Sequence, residues 1–428
     1  MRLRCIITAI VFVLAAHNGF AQTDSILVSS KDTIRYKYTP MTIPADVAAL
    51  ANGAVAESAA DDEAQRKAKR GRGVRKFADF LVSSVTDESF EKKVDFSFVL
   101  FPYYTPSTSL GLGASVTGLY RLDKRNRALP PSSFSIAANG SINGTYRVEV
   151  NGINIFKDGK DRLFYRVGFQ SLPTRLWGLG YEAAFAGDYL SYVGNRWYAE
   201  ATYLRRIVKN IYIGAQIDFD YAFCGRNSQQ NIIDRLDGQR GDYLSTGISL
   251  LAEYDSRNSR NAPNKGFYVS LKGTVRPEPL GTVGRTLWSA TAIVDYYQRL
   301  WRGAVLAIDL YGEFNSRHTP WTLYARLGDA QRMRGYYEGR FMDLNLISAQ
   351  VELRQTVWQR LGVAAWGSAG NVFHSFKEFH WNRTLPSYGI GLRWSVNSNS
   401  SIRLDYGFGK RINGALSGGF IFSVNEAF

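Results

Sequence analysis

The fold class is indicated most clearly by the stretch Asn210-Ile-Tyr-Ile-Gly-Ala-Gln-Ile-Asp-Phe-Asp-Tyr-Ala-Phe223. Its odd-numbered positions are all hydrophobic, whereas its even-numbered positions include Gln216, Asp218 and Asp220. Because successive side chains of a β-strand point to opposite faces of the sheet, this alternation predicts a strand with one apolar and one charged face. The stretch is also long enough to cross a bilayer, since a tilted strand does so in roughly 9–11 residues.

The same alternation recurs from about residue 95 onward, and it again gives one face charged side chains such as Glu352, Arg354 and Asp405. A soluble β-sandwich is the alternative, but its strands average roughly 5–6 residues. Charged inner faces fit a wet lumen, and strands in lipid must close so that every backbone group is paired. The sequence therefore predicts an all-β protein, a transmembrane antiparallel β-barrel.

Counting the alternating segments predicts 16 strands, an even number, as is typical of single-chain bacterial barrels. The composition agrees, with 25 Tyr, 25 Phe, 9 Trp and 40 Gly against only 2 Cys. The predicted strands start near residues 95, 107, 132, 144, 161, 195, 210, 243, 265, 286, 303, 345, 360, 386, 400 and 417.

The first 21 residues have the layout of a secretory signal peptide: a basic start, the apolar run Ile6–Ala16 and a small residue, Ala21, at the expected cleavage site. A membrane anchor is the alternative, but the run is shorter than the roughly 20 residues that a spanning helix needs. Cleavage removes Cys5 and leaves Cys224 without a partner for an internal disulfide.

Residues 22–92 are polar and charged, with a dense basic run over 61–76, so we expect a largely unstructured periplasmic segment before a barrel over 93–428. A basic run also suits nucleic acid, but a secreted chain has no access to it. We therefore expect this run to be solvated or to contact the membrane surface, and no nucleic acid to bind.

Three stretches carry a resemblance to a known family. Met333-Arg334-Gly335-Tyr336 lies in the long connection between the predicted strands 11 and 12. It resembles the Val-Arg-Gly-Phe or Val-Arg-Gly-Tyr signature of the BamA/TamA-like outer-membrane assembly barrels, the bacterial surface antigen family. The turn beginning Glu253-Tyr-Asp-Ser-Arg-Asn258 and the stretch over 101–113 also resemble that family. The resemblance covers about 95–428 and implies that the long loop folds into the lumen.

The resemblance further implies that Arg334 meets acidic side chains on the inner wall, with Glu352 as the first candidate partner and Asp405 as the second. A guanidinium suits this role because its fork matches carboxylates. Gly335 would allow a tight turn, and Tyr336 would pack on the wall. The family often has an aspartate where this chain has Ser368, which leaves the partner open; a solvated Arg334 on the outer surface is the other alternative.

The last predicted strand ends on an aromatic residue and resembles the signal by which outer-membrane barrels are recognised for insertion. Four of its hydrophobic residues are expected on one face, with Glu426 out of pattern: Phe420, Phe422, Val424 and Phe428.

The resemblance implies a protein of the Gram-negative outer membrane that inserts proteins or passes them across it, through a weak seam between the first and last strands. Residues 22–92 do not resemble the polypeptide-transport (POTRA) repeats of the main assembly factors. We therefore expect an accessory role in protein insertion, translocation or lipid handling. The expected partners are the outer-membrane bilayer, client outer-membrane or surface proteins, and accessory periplasmic or lipoprotein subunits. A passive porin or channel is the alternative.

An enzyme is not expected. After the signal peptide the histidines are His318, His374 and His380, which fall in predicted loops without a recognisable nucleophile or metal spacing. No cofactor and no metal are expected, since no phosphate-cradling glycine loop is present either.

Overall fold

The computed structural model describes residues 90–428 apart from 106–107, 125, 127–128, 130, 237, 261, 359, 398–399, 413 and 425. The predicted signal peptide and nearly all of the predicted segment 22–92 lie outside the described residues.

The chain forms a 16-stranded antiparallel sheet in which each strand pairs with the next along the chain. Two short strands, β12 (Ala325–Leu327) and β13 (Phe341–Asp343), pair with each other inside one connection and form a separate sheet. The strands of the large sheet are β1 Asp95–Thr105, β2 Ser109–Tyr120, β3 Ser132–Ser141, β4 Tyr146–Ile155, β5 Asp161–Leu176, β6 Leu190–Val208, β7 Ile211–Cys224, β8 Tyr243–Asp255, β9 Gly266–Arg276, β10 Leu287–Trp301, β11 Ala304–Asn315, β14 Asn345–Trp358, β15 Leu361–Phe373, β16 Leu385–Asn397, β17 Ser400–Ile412 and β18 Ala415–Val424.

The predicted 16-strand barrel is therefore confirmed, and every predicted start lies within about five residues of the observed one. The largest difference is at β6, which begins at Leu190. The alternation in the sequence was sufficient to locate the strands because each strand is long and has one apolar and one polar face. In β7, Ile213 and Ile217 are exposed on the outer, lipid-facing side, whereas Gln216 and Asp220 are buried on the inner side.

The two ends of the barrel differ. Connections after odd-numbered barrel strands include the longest ones, and in barrels of this kind that end faces outward. This outer end carries two helices, α1 (Gly180–Ala186) after β5 and α2 (Arg226–Arg235) after β7. In the described part of the chain, neither helix is long and apolar enough to cross a membrane. Short 3-10 segments occupy Lys157–Gly159, Glu278–Leu280, Trp321–Leu323, Phe376–Glu378 and Trp381–Arg383.

The apolar core lies inside the barrel and beneath the outer-end connections. One buried cluster joins α1, the β12–β13 hairpin and the inner faces of β14–β17: Ala184, Ala325, Leu327, Met333, Tyr336, Phe341, Leu346, Val372, Leu385 and Ile412. A second cluster joins α2 to the same connection: Leu176, Ile232, Leu236, Trp321, Tyr324, Met342 and Leu344. The long connection between β11 and β14 thus folds inward, as predicted.

The C-terminal residues depart from the prediction of one shared face. Phe420 is exposed on the outer face of β18, but that strand ends at Val424. The ring of Phe428 lies 6.3 Å from that of Tyr297 and under the guanidinium of Arg354, both of which are buried on the inner side. Assigning Phe428 to the same face as Phe420 was therefore wrong, because alternation stops where the strand stops.

Candidate functional site

The candidate site is the connection over 316–344, called here the luminal loop. The pairing of β12 with β13 closes it into a hairpin whose tip spans 328–340. Three arginines of the tip, Arg332, Arg334 and Arg340, bind three different parts of the barrel. Each of these contacts fixes one side of the tip.

Arg334 is completely buried and joins two strands of the wall. Its Nη2 donates to Glu352 Oε2 on β14 at 2.6 Å, and its Nη1 donates to Asp405 Oδ2 on β17 at 2.7 Å. Its guanidinium also lies 3.7 Å from the ring centroid of Trp366 on β15. The structure therefore brings Arg334 against both of the candidate partners rather than one, and it does not lie in solvent.

Three wall arginines share these carboxylates. Arg354 and Arg393 donate to Glu352 Oε1 at 2.7 and 3.2 Å, and Arg393 also binds Asp405. Arg403 lies 3.4 Å from Asp405 Oδ2 and donates to the main-chain oxygen of Ala330 in the tip at 2.7 Å. Buried charges are tolerated when they are paired and hydrogen-bonded, and here the loop supplies part of that pairing.

Glu426, which did not fit the alternation of the last strand, belongs to the same group of charges. Arg393 Nε donates to its Oε2 at 2.8 Å, and Arg354 Nε lies 3.4 Å from the same oxygen. The residue therefore faces the arginines of the wall because of its charge.

Gly335 has φ +104°, a conformation that favours glycine. A Cβ at this position would lie 2.7 Å from the carbonyl carbon of Gly407 on β17, and a Cβ at Gly407 would lie 2.6 Å from the carbonyl oxygen of Arg334. Backbone therefore meets backbone here, and a side chain at either position would separate the tip from the wall.

Tyr336 packs across the same part of the wall. Its hydroxyl donates to the main-chain oxygen of Pro386 at 2.6 Å and accepts from the main-chain N–H of Lys410 at 2.7 Å. Its ring lies over Gly409, where a Cβ would come within 2.5 Å of it. Burial raises the pKa of Tyr336 to about 12.

The other two arginines of the tip act on the opposite side and at the outer end. Arg332 Nε donates to both oxygens of Asp309 on β11, at 2.6 and 2.9 Å. Burial opposes the charge of Arg332, but Asp309 outweighs it and raises the pKa of Arg332. Arg340 donates from Nε and Nη2 to the main-chain oxygen of Ala184 in α1, and burial lowers the pKa of Arg340.

Ser368, which stands where the family often has an aspartate, does not bind Arg334. Its hydroxyl donates to the main-chain oxygen of Ser387 on β16 at 3.2 Å. The hydroxyl of Ser387 in turn donates to the main-chain oxygen of Arg334. Trp366 is the residue of β15 that contacts the guanidinium, and the acidic role falls to β14 and β17.

The outer-end connections cover the loop. The indole Nε1 of Trp321 donates to the main-chain oxygen of Arg240 at 2.7 Å, and Arg235 Nη2 donates to that of Trp177 at 2.9 Å. The first contact links the luminal loop to the connection after β7, and the second links that connection to the one after β5. These three connections therefore pack together at the outer end.

The turn that follows Glu253 lies between β8 and β9. Asp255 accepts from Arg257 through both carboxylate oxygens, at 3.0 Å each, and Asn258 Oδ1 accepts from two main-chain N–H groups of the turn. The motif is thus a closed turn at the inner end and does not touch the loop tip.

The described residues contain no group of three or more His, Cys, Asp or Glu arranged to hold a metal ion. His318 lies 2.9 Å from Arg285, and His374 lies 3.3 Å from Asp343, both at the outer end. The contacts between the luminal loop and the wall are ion pairs, hydrogen bonds and apolar packing.

A family model for the Omp85 superfamily domain matches residues 132–428. Among solved structures, the chain is similar to BamA from Haemophilus ducreyi lacking POTRA domains 1–3, with a TM-score of 0.54 and 12% identity over 78% of this chain and 70% of that one. It is also similar to CdiB from Escherichia coli, with a TM-score of 0.53 and 10% identity over 78% of this chain and 62% of that one. No curated protein sequence gives a significant match.

Proposed function

Because the chain belongs to the Omp85 superfamily, whose members work at the Gram-negative outer membrane, we propose that it aids the insertion or translocation of proteins, or of lipids, at that membrane. Its partners in this role are client outer-membrane or surface proteins, together with accessory periplasmic or lipoprotein subunits. The chain itself is not an enzyme in this proposal.

The observation that carries the proposal is the seating of the luminal loop. Arg334 is buried between Glu352 and Asp405, and the backbone of Gly335 touches that of Gly407. A passive porin needs an open lumen, whereas here a packed hairpin occupies it. The geometry therefore favours a barrel in which the conformations of the wall and the loop are coupled. A porin that simply conducts solutes fits it less well.

We propose that clients enter at the edges of the sheet. β1 and β18 lie beside each other, yet among the described residues no strand pairing joins them. Unpaired strand edges are templates for the addition of another strand, which is the physical basis of β-augmentation. We propose that a client strand pairs at this seam.

Quantitative proteomics of the outer membrane after depletion of the protein tests this function. Wild type, Arg334→Ala and Arg317→Ala would each be returned, Arg317 being an exposed arginine of the same loop. We expect a defined set of outer-membrane or surface proteins to fall on depletion and to be restored by wild type and Arg317→Ala only. An unchanged membrane proteome contradicts the proposal for proteins, and loss of lipid asymmetry alone would assign the role to lipids.

Single-channel recording distinguishes the proposed function from that of a passive porin. We expect low conductance from the wild type and higher conductance from Arg334→Ala, because the substitution removes both ion pairs that seat the tip. Large, steady conductance in the wild type contradicts the proposal and favours a porin.

A further inference from the structure

The connection between β15 and β16, residues 374–384, packs on the outside of the barrel at its outer end. On its inner side, Arg383 binds Glu182 of α1 at 2.9 Å, and His374 lies 3.3 Å from Asp343 of the luminal loop. The connection begins beside a row of outward-facing residues at the outer end: Phe314 pairs with Asn345, and Asn345 pairs with Phe373. The adjacent pair Leu346 and Val372 belongs to the luminal cluster. Because side chains alternate along a strand, the row faces the lipid side.

Two asparagines fasten this connection to the outer face. Asn345 Nδ2 donates to the main-chain oxygens of Phe373 and His374, at 3.1 and 2.9 Å. Asn371 Nδ2 donates to the main-chain oxygen of His380 at 3.0 Å and to Thr384 Oγ1 at 3.1 Å. Both asparagines are buried at outward-facing positions, where an unpaired amide would be costly.

An aromatic chain runs along the connection and continues the lipid-facing surface. Phe376 stacks on Phe314 with ring centroids 5.6 Å apart, and it also contacts Phe373 at 5.3 Å. Phe379 contacts Phe373 at 5.3 Å and Trp381 at 5.0 Å. The outer rings are uncovered, since Phe376 is 71% exposed and Trp381 is 80% exposed.

We propose that residues 374–384 form a membrane-interfacial surface that lies in the headgroup region of the outer leaflet. Three observations support lipid as the occupant. The surface is continuous with the lipid-facing wall through Phe314, its exposed large hydrophobic side chains are aromatic, and charged or polar side chains are exposed beside them, namely Lys377, Glu378 and His380. Aromatic rings with polar neighbours are what barrels present at the lipid–water boundary. The inference does not depend on the proposed function.

Site-directed spin labelling in vesicles of phosphatidylcholine and phosphatidylglycerol tests the proposal. The labelled cysteine replaces Phe376 or Asn382 in a chain that carries Cys224→Ser. Asn382 is exposed and contributes no ring, so its label reports on the intact aromatic chain. Labels at Ile390, on the lipid face of β16, and at Asp234, an exposed residue of α2, provide the apolar and aqueous references.

Collisions with oxygen, which concentrates in lipid, and with a water-soluble nickel chelate report the depth of each label. We expect labels at 376 and 382 to collide with the chelate several-fold less often than the label at Asp234. Asn371→Leu should raise the collision rate at 382, because it removes a fastening hydrogen-bond donor.

Chelate collisions at both 376 and 382 as frequent as at Asp234 would overturn the proposal. If these labels were accessible in lipid vesicles but shielded in native outer membranes, the occupant would be a protein, and the proposal would again fail.

Discussion

Replacing Arg334 by alanine or by lysine should release the tip of the luminal loop to different extents. The guanidinium uses two different nitrogens to reach two strands, Glu352 at 2.6 Å and Asp405 at 2.7 Å. An ammonium group carries the same charge but lacks the planar fork that spans both carboxylates. Lysine should therefore keep one contact, and alanine none.

The structure sets the magnitude. A hydrogen bond to a charged group contributes about 1.5–3 kcal/mol, and removing one partner of a buried ion pair costs about 3–5 kcal/mol. Glu352 keeps Arg354 and Arg393, and Asp405 keeps Arg393 and Arg403, so neither carboxylate is left without a cation. The lower limits apply, which gives about 3 kcal/mol for alanine and about 1.5 kcal/mol for lysine.

Hydrogen exchange of the tip, residues 328–340, measures this directly in the membrane-reconstituted protein. Its main chain contains suitable amides, such as Gly339 donating to Leu327 and Tyr336 donating to Met333. Since about 1.4 kcal/mol corresponds to a tenfold change in an equilibrium constant, exchange at the tip should quicken roughly 100-fold with alanine and roughly tenfold with lysine.

The control is Arg317→Ala, which removes an exposed arginine of the same loop and should leave exchange at the tip unchanged. Unaltered exchange at the tip in Arg334→Ala would refute the reasoning, because it would mean that the two ion pairs contribute nothing to seating the loop. If exchange at the tip quickened equally in the lysine and alanine variants, the planar fork of the guanidinium would not be what holds the tip to both carboxylates.

Three further substitutions test the remaining contacts. Gly335→Ala should unseat the tip as Arg334→Ala does, because its Cβ would collide with the backbone of Gly407 and φ is +104°; hydrogen exchange measures it. Arg332→Ala should lower the barrel's heat-unfolding midpoint, read from mobility in gels, because it leaves buried Asp309 without its ion-pair partner, at a cost of about 3–5 kcal/mol. Tyr336→Phe should quicken exchange at the tip by a smaller factor, through the loss of about 1–3 kcal/mol of hydrogen bonding.

Arg317→Ala serves as the control for these substitutions too. A tip that is as protected with alanine at 335 as with glycine would contradict the backbone contact. An unfolding midpoint that does not move with Arg332→Ala would mean that Asp309 is hydrated once the arginine is gone. Exchange with Tyr336→Phe faster than with Arg334→Ala would reverse the proposed order of the two contacts.

Much of the barrel could be predicted from the sequence, because lipid on one side and charge on the other impose strict alternation. The β7 stretch with Gln216 and Asp220 on its inner face is an example. The prediction failed where the alternation ended. Phe428 lies beyond β18 and turns to the inner side, which no periodicity in the sequence encodes.

The site was predictable in part. The sequence indicates Arg334 and both of its carboxylate partners, but not Trp366, Arg393 and Arg403. Each of these three has the inward parity of its strand, so the signal was present. The odd or even position of a residue in its strand gives the face on which its side chain lies, but not its level along the barrel axis. That level depends on the register between strands that are distant in sequence. The helices α1 and α2 were missed because they lie in connections without periodicity over a full strand or helix length.

The ion pair between Arg334 and Asp405 has a thermodynamic consequence. Asp405 sits on β17, directly opposite Ile421 of β18 in the last pairing of the sheet. Seating of the loop and the position of that edge are therefore linked equilibria, and linkage is reciprocal. Any molecule that binds more tightly to the edge when the loop is withdrawn must withdraw the loop by the same free energy. The luminal loop can thus respond to a molecule that binds at the edge strand, although that molecule does not touch the loop.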